Sequence, residues 1–315
     1  MDSPFFSVII PVYNKDNHLN RSISSVLSQE FKNFEIIAVD DASTDNSLSE
    51  LKKFNDPRFK IISRDKPGPG GYAARNLGVN ISKGEWIAFL DADDEWEANH
   101  LSSYKNIIEY NPEASILSSS FKNIYNDNLN SLDDYTLSIN SKNIHYVSFE
   151  DYLRCESKGL RPICTSVACL KKSVLVDSGL FPEGKMVRGG DVDTWLRTIE
   201  KAQGLFWSPH IGAIYFRNSQ NMVTKTSWST PEGTLRTIKV LKEKYRNNSE
   251  IMNLLKKFSN MRVLSSWKLN LRSSNKKNFF LIRYLYLSQA TYKDLVWILI
   301  SLLPLNLAAK LLKNK

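Results

Sequence analysis

Asp91, Asp93 and Asp94 stand together at the end of the apolar run "WIAFLDADDEW". Neighbouring carboxylates repel unless a cation or a proton lies between them. Hard oxygen ligands in this number suit Mg2+ or Mn2+ held jointly with the phosphates of a substrate. The plainer alternative is a turn or helix cap in which each Asp accepts a nearby backbone N–H. Three other stretches favour the cation. Asp40 and Asp41 close the run "FEIIAVDDAS", the glycine-rich "PGPGGYAARNLG" carries Arg75, and Asp191 and Asp193 follow in "RGGDVDTWLR". A guanidinium fork matches phosphate oxygens, so Arg75 is a candidate anion contact, with a surface ion pair as the plain alternative.

These residues need a scaffold that brings them to one edge. Short apolar runs alternate with helical patterns through the first 120 residues: "FSVIIPVY", "HLNRSISSVLSQEF", "FEIIAVDDAS". Leu19, Ile23, Val26 and Leu27 fall on one helical face. Further helices are predicted over 46–54 and 71–81, and strands over 59–63 and 85–90. Strands buried on both faces and separated by helices pair in parallel through right-handed crossovers. The result is an open α/β sheet, and such sheets bind ligands beyond the carboxyl ends of their strands. Tyr13 and Asn14, Asp40 and Asp41, Arg64 and Asp65, and the Asp91 cluster all fall there. Residues 122–150, rich in Asn, Asp and Ser, read as a long loop or irregular insertion. Asp94 reads as a cap for a helix beginning near Trp96.

The chain has 315 residues, 42% of them apolar and 24% charged, enough for a sizeable core. Its net charge of +9 is unevenly spread: residues 236–315 hold 17 Lys or Arg against 3 acidic residues, whereas the first 235 hold 25 against 30. An acidic body with a basic, apolar C-terminal segment favours an anionic membrane surface over a nucleic-acid groove. Cys155, Cys164 and Cys169 form no C-x-x-C pair, so reduced thiols are expected rather than a disulfide framework or zinc site. The N-terminus shows no basic region followed by a long apolar stretch, so the body is expected in the cytoplasm.

In order and spacing, "SVIIPVYN", "VDDASTDNS", "GGYAARNLG", "WIAFLDADDEW" and "GGDVDTWLR" resemble glycosyltransferase family 2, the inverting nucleotide-sugar transferases of the GT-A fold. The resemblance covers roughly residues 5 to 220. It implies a Rossmann-like, open, mostly parallel sheet flanked by helices, and a nucleotide diphospho-sugar donor, UDP being favoured around Asp41. It implies Mn2+ or Mg2+ held through Asp-x-Asp, with Asp93 as direct ligand and Asp91 touching ribose or metal-bound water. Pro11, Tyr13 and Asp41 then match nucleobase and ribose contacts, Arg75 and Arg217 match diphosphate contacts, and Asp191 matches the catalytic base. Asp193 is the second candidate for that base. The family usually has Glu-Asp where this chain has Gly190-Asp191. That departure keeps a catalytically inactive nucleotide- or sugar-binding module as an alternative. "GPGGYA" formally mimics a dinucleotide fingerprint, a weaker rival because its glycines sit in the third βα unit. The histidines, Trp195 and Trp207 are assigned to the core first.

The expected division is a catalytic domain over 1–230, with its nucleotide half over about 1–120 and its acceptor half over 121–230, followed by a helical extension over 231–315. The extension ends in "DLVWILISLLPLNLAAKLLKNK", whose apolar run from Leu295 to Ala309 falls short of the roughly 20 residues that span a bilayer. An interfacial helix on an anionic membrane fits it, bringing the site to a lipid-linked acceptor. Packing on the catalytic body or in a homodimer is the alternative.

Overall fold

A computed structural model describes residues 3–126, 129–219, 231–273 and 279–303. Its strands are β1 (Phe6–Val12), β2 (Phe34–Asp40), β3 (Phe59–Ser63), β4 (Trp86–Phe89), β5 (Glu95–Trp96), β6 (Ile116–Asn126), β7 (Leu129–Leu132), β8 (His145–Ser148), β9 (Cys169–Lys171) and β10 (Gly204–Phe216). Helices α1 (Asp16–Leu27), α2 (Ser47–Leu51), α3 (Tyr72–Ile81), α4 (His100–Tyr110), α5 (Asp134–Ile139), α6 (Phe149–Ser157), α7 (Lys172–Asp177) and α8 (Gly190–Ala202) connect and cover them. Three more follow at Glu232–Lys244, Ser249–Ser273 and Tyr292–Leu302.

The sheet runs β3-β2-β1-β4-β9-β6-β10-β5, with β7 added on β6 and β8 on β10. β3, β2, β1 and β4 are mutually parallel, as the βα alternation requires. β9 pairs antiparallel with both β4 and β6, and β6 pairs parallel with β10. Alternation along β1 divides the core between the two faces. Ile9 joins the layer under α3, α6 and α8, whereas Phe6, Val8, Ile10 and Val12 join the layer under α1 and α4.

Residues 122–150 are not irregular. β6 continues to Asn126, turns back as β7, and leads through α5 into β8. The Asn and Ser content looks like loop, but paired neighbours on both sides supply the ladder. Asp133, buried, accepts from the Thr136 and Phe121 amides and so caps α5 onto β6. The helix assigned near Trp96 begins instead at His100, behind Asn99, and Trp96 lies in β5. Asp94 is therefore no helix cap.

Residues past 231 do not form a separate layer. Leu235, Ile238, Leu254, Leu255, Phe258 and Trp267 are buried in the same core as Trp195 and Tyr152. Among the described residues no helix is long and apolar enough to cross a membrane.

Candidate active site

The parallel half of the sheet delivers its polar residues to one edge. β1 and β2 end in register, Val12 beside Asp40, and the Asp41 amide donates to Val12 O at 2.7 Å. The Asp41 carboxylate, almost fully buried, is held by the Arg64 guanidinium and by the Gly68 amide at 3.0 Å. Arg64 is fixed in turn through its own amide, which donates to Asp40 O at 2.8 Å. Pro11 lies under the same turn, its Cβ 3.7 Å from where a Gly71 Cβ would stand, and Tyr13 is exposed at the rim. Asp40 is buried with Oδ1 unpartnered.

The glycine-rich stretch acts by its shape. Gly70 and Gly71 both have positive φ, 71° and 67°, which lets the chain turn tightly from β3 into α3. That turn aims Arg75 back at its own loop and at the sheet edge. It donates to Gly70 O at 2.9 Å and to Asp91 Oδ1 at 2.5 Å, and its Nε is buried without a partner. Burial pushes the Asp91 carboxyl up, Arg75 opposes this, and Asp93 adds repulsion.

The three carboxylates of the Asp91 cluster separate by role. Asp93 receives the Lys15 ammonium at 2.7 Å, and its backbone oxygen receives Arg21 at 2.6 Å. Asp94 turns inward, accepting from Ser166 Oγ at 2.7 Å and from the Phe216 amide at 3.3 Å. Burial, then repulsion from Asp93 and Asp91, holds Asp94 well above the usual carboxylate range. Among the described residues no three His, Cys, Asp or Glu side chains gather as a ready-made metal cage. Mg2+-type sites rarely use one; they take one or two carboxylates plus substrate phosphates. Asp91 and Asp93 fit that pattern, because Arg75 and Lys15 each occupy one carboxylate oxygen and leave the other without a hydrogen bond among the described residues.

Asp191 sits in the first turn of α8, half-buried, and its carboxylate accepts no hydrogen bond among the described residues. Its charge reaches both Arg75 and Asp91, and the neighbouring Gly190 amide donates to Tyr72 at the start of α3, the helix that carries Arg75. Helix capping does not explain it, since the α8 N-cap is Gly189, with φ 80° and no side-chain cap. Asp193 is different. Its oxygens take Arg197 at 2.9 Å and Thr237 at 2.6 Å, which ties α8 to the helix Glu232–Lys244. Both of its oxygens are hydrogen-bonded, whereas among the described residues those of Asp191 are not.

Gly190 has a local explanation. Its amide donates to the Tyr72 hydroxyl at 2.8 Å, and a Cβ there would stand 2.6 Å from Tyr72 Cζ and 2.7 Å from Pro182 Cγ. Tyr72 thus fills the space that a side chain at 190 would occupy.

Arg217 follows β10, whose last residue, Phe216, touches the Asp94 side chain. The Arg217 guanidinium turns onto β6, donating from Nε to Asn123 at 2.7 Å, and is not brought against Asp91 or Asp93 by any described contact. His100 is wholly buried and His210 half-buried, consistent with core roles, and the three cysteines are free.

Sequence reasoning missed Lys15, Tyr72 and Arg21, and gave Arg64 no partner. Their contacts span 23 to 118 residues of sequence, a separation that no local pattern reports.

The model for "Glycosyl transferase family 2" matches residues 7–176. Among curated relatives, "Glycosyltransferase GlyA" of Streptococcus pneumoniae serotype 4 is 37% identical over 111 residues, 35% of this chain and 16% of that protein. "UDP-Glc:alpha-D-GlcNAc-diphosphoundecaprenol beta-1,3-glucosyltransferase WfgD" of Escherichia coli is 41% identical over 101 residues, 32% of this chain and 40% of that protein. The match therefore spans well under half of either relative's length. Among solved structures, S. aureus TarS 1-349 in complex with UDP-GlcNAc superposes with a TM-score of 0.71 at 19% identity, over 89% of this chain and 79% of that one. That likeness shows the GT-A type of fold and, with the family match, removes the dinucleotide alternative. The chain belongs to glycosyltransferase family 2.

Proposed function

We propose that the protein is a metal-dependent, inverting glycosyltransferase that moves a sugar from a UDP-sugar to a hydroxyl of a lipid-linked glycan acceptor in surface polysaccharide synthesis. The observation that carries this is the Asp191 carboxylate: without a hydrogen bond among the described residues, at the start of α8, and near enough for its charge to be felt at Arg75 and Asp91. The relatives named for UDP-Glc and GlcNAc-diphosphoundecaprenol, WfgD and WfaP of Escherichia coli, support the donor and acceptor classes.

In this reading Pro11, Tyr13, Asp41 and Arg64 receive the nucleoside, with Asp41 accepting the imide N–H of the base. Arg75 and Arg217 face the diphosphate. Asp91 and Asp93 would hold Mn2+ or Mg2+, and the ion would supply positive charge against the diphosphate. Asp191 takes the proton from the acceptor hydroxyl while that oxygen bonds to the anomeric carbon from the opposite face. The bond from that carbon to the diphosphate oxygen breaks, and its electron pair leaves with the diphosphate.

The protein would work from the cytoplasmic side, peripheral on the inner face of the plasma membrane. The exposed Phe280, Ile282, Leu287, Tyr292, Leu295 and Leu299 of the C-terminal segment support a lipid contact.

The deciding experiment compares wild type with Asp191→Asn in two assays, transfer to a lipid-linked acceptor and binding of UDP with Mn2+. The expected result is loss of transfer by about 10²–10⁴-fold with UDP binding retained. Turnover equal to wild type would overturn the assignment, and UDP binding without turnover in wild type would point to the inactive binding module.

A further inference from the structure

Beside Asp191 lies a group of charges that the transfer chemistry does not use. Glu156 and Tyr152 come from α6, Arg161 from the loop after it, Arg188 from the loop before α8, and Arg262 from the helix Ser249–Ser273. Every one of them feels the charge of Asp191. Arg262 is buried, its Nη2 2.8 Å from where a Gly189 Cβ would stand, so it rests against the residue that caps α8.

Three features mark this as a built site. Arg262 Nε, Glu156 Oε2 and the Tyr152 hydroxyl are all buried without a hydrogen-bond partner, although buried polar atoms are nearly always paired. Arg161 repels both Arg188 and Arg262, which lowers each of them further after burial. Burial also pushes Glu156 up to about 7, so that near neutral pH it offsets only part of the three guanidinium charges. Arg161 is exposed, so the group opens to solvent on that side.

We propose that Arg161, Arg188 and Arg262 form a phosphate-binding pocket on the acceptor side of Asp191, which receives the phosphate or diphosphate carried by the acceptor. Guanidinium forks match phosphate oxygens two at a time, and three of them around one opening suit a multiply charged group. Tyr152 and, when protonated, Glu156 add neutral donors. The helix Ser249–Ser273 thereby contributes directly to acceptor recognition. Recognition of an acceptor through this pocket rests on the transferase reading; the anion site stands on its own contacts.

Two measurements test it. The first is calorimetric titration of the full chain with inorganic pyrophosphate in EDTA, where binding is expected to weaken at least tenfold in Arg161→Ala and further in Arg161→Ala/Arg188→Ala. Lys142→Ala, which removes an exposed charge elsewhere, should leave binding unchanged. Absence of binding in wild type overturns the proposal, as does binding that survives the double variant or that Arg75→Lys alone abolishes. An unchanged circular dichroism spectrum checks that Arg161→Ala keeps the fold, and Arg262→Lys tests the buried member conservatively.

The second measurement compares a short-chain prenyl diphosphate sugar with the neutral alkyl glycoside of the same sugar. Arg161→Ala should raise KM for the first at least tenfold and leave the second unchanged; equal effects on both would overturn acceptor recognition. Pyrophosphate binding in a protein that transfers to neither acceptor would sink the transferase reading and leave the pocket standing.

Discussion

Gly190 and Tyr72 show how a single position is decided by what it touches. The backbone at 190 has no need of glycine's conformational range, but the Tyr72 ring stands where a Cβ would go. Gly190→Ala is therefore expected to lower stability by about 1–3 kcal/mol through overpacking. Combined with Tyr72→Ser, the loss should fall short of the sum by at least about 0.5 kcal/mol, because the second change removes the clash. Urea unfolding of the four proteins checks this, and additive losses would mean that Tyr72 is not the obstacle. Glu156 gives a pH dependence. Its folded pKa is raised from 4.5 to about 7, so between those values the folded protein holds a proton that the unfolded chain has released. Stability from this residue is thus complete below about pH 4.5 and is lost as pH rises towards 7, by about 3 kcal/mol in all. Glu156→Gln should flatten the fall in Tm between pH 5 and pH 8. A variant whose Tm falls as steeply as that of wild type would show that Glu156 titrates normally.

At the scale of elements, α8 serves two purposes from one turn. Asp191 faces the crevice while Asp193, on the other side of the helix, anchors Arg197 and Thr237. Asp193→Ala is expected to cost about 2 kcal/mol, the scale of losing charged hydrogen bonds, and to leave measurable transfer at low temperature. Transfer as low as in Asp191→Asn, in a variant still folded by circular dichroism, would show that the two carboxylates act together. The sequence separates these roles poorly, since both acids precede the apolar "TWLRTI" and both look like helix-start residues. It was far more legible in the first half. Short continuous apolar runs, each followed by a polar cluster, placed β1 to β4 and the edge that carries Asp41 and Asp91, because burial on both faces leaves a continuous apolar signature. β6 to β8 stayed hidden since polar residues such as Ser118, Ser119 and Ser120 are buried within the sheet, where composition suggests loop. Asp94 misled for a related reason: its partners, Ser166 and Phe216, lie 72 and 122 residues away.

At the scale of the whole molecule, the described helices after residue 231 share one core with α6 and α8. Ser249–Ser273 buries Leu254, Leu255, Phe258 and Trp267 in the core beneath α6 and α8. The segment after it has two faces. Leu281 and Tyr284 are buried, and Trp297 packs on the core under the Lys268 ammonium, 4.3 Å from its ring centre. Ile282, Leu287, Leu295 and Leu299 point outward. An apolar face that serves no internal packing, on a segment of high positive charge, matches an interfacial contact: apolar insertion gives the affinity and anionic lipid the attraction. Replacing two outward residues tests this without touching the core. Leu287→Glu/Leu299→Glu should keep the wild-type Tm, since both positions are exposed, and should lose most co-sedimentation with phosphatidylglycerol vesicles. Wild-type binding should weaken at 1 M salt, where the screening length falls to about 3 Å. Removal of everything after residue 248 should instead unfold the protein by uncovering Tyr152 and Leu153 of α6, whose core Leu254, Leu255 and Phe258 complete. Vesicle binding unchanged in the double variant would assign that outward face to another partner, with a second copy of this chain, read from sedimentation velocity, as the first to check.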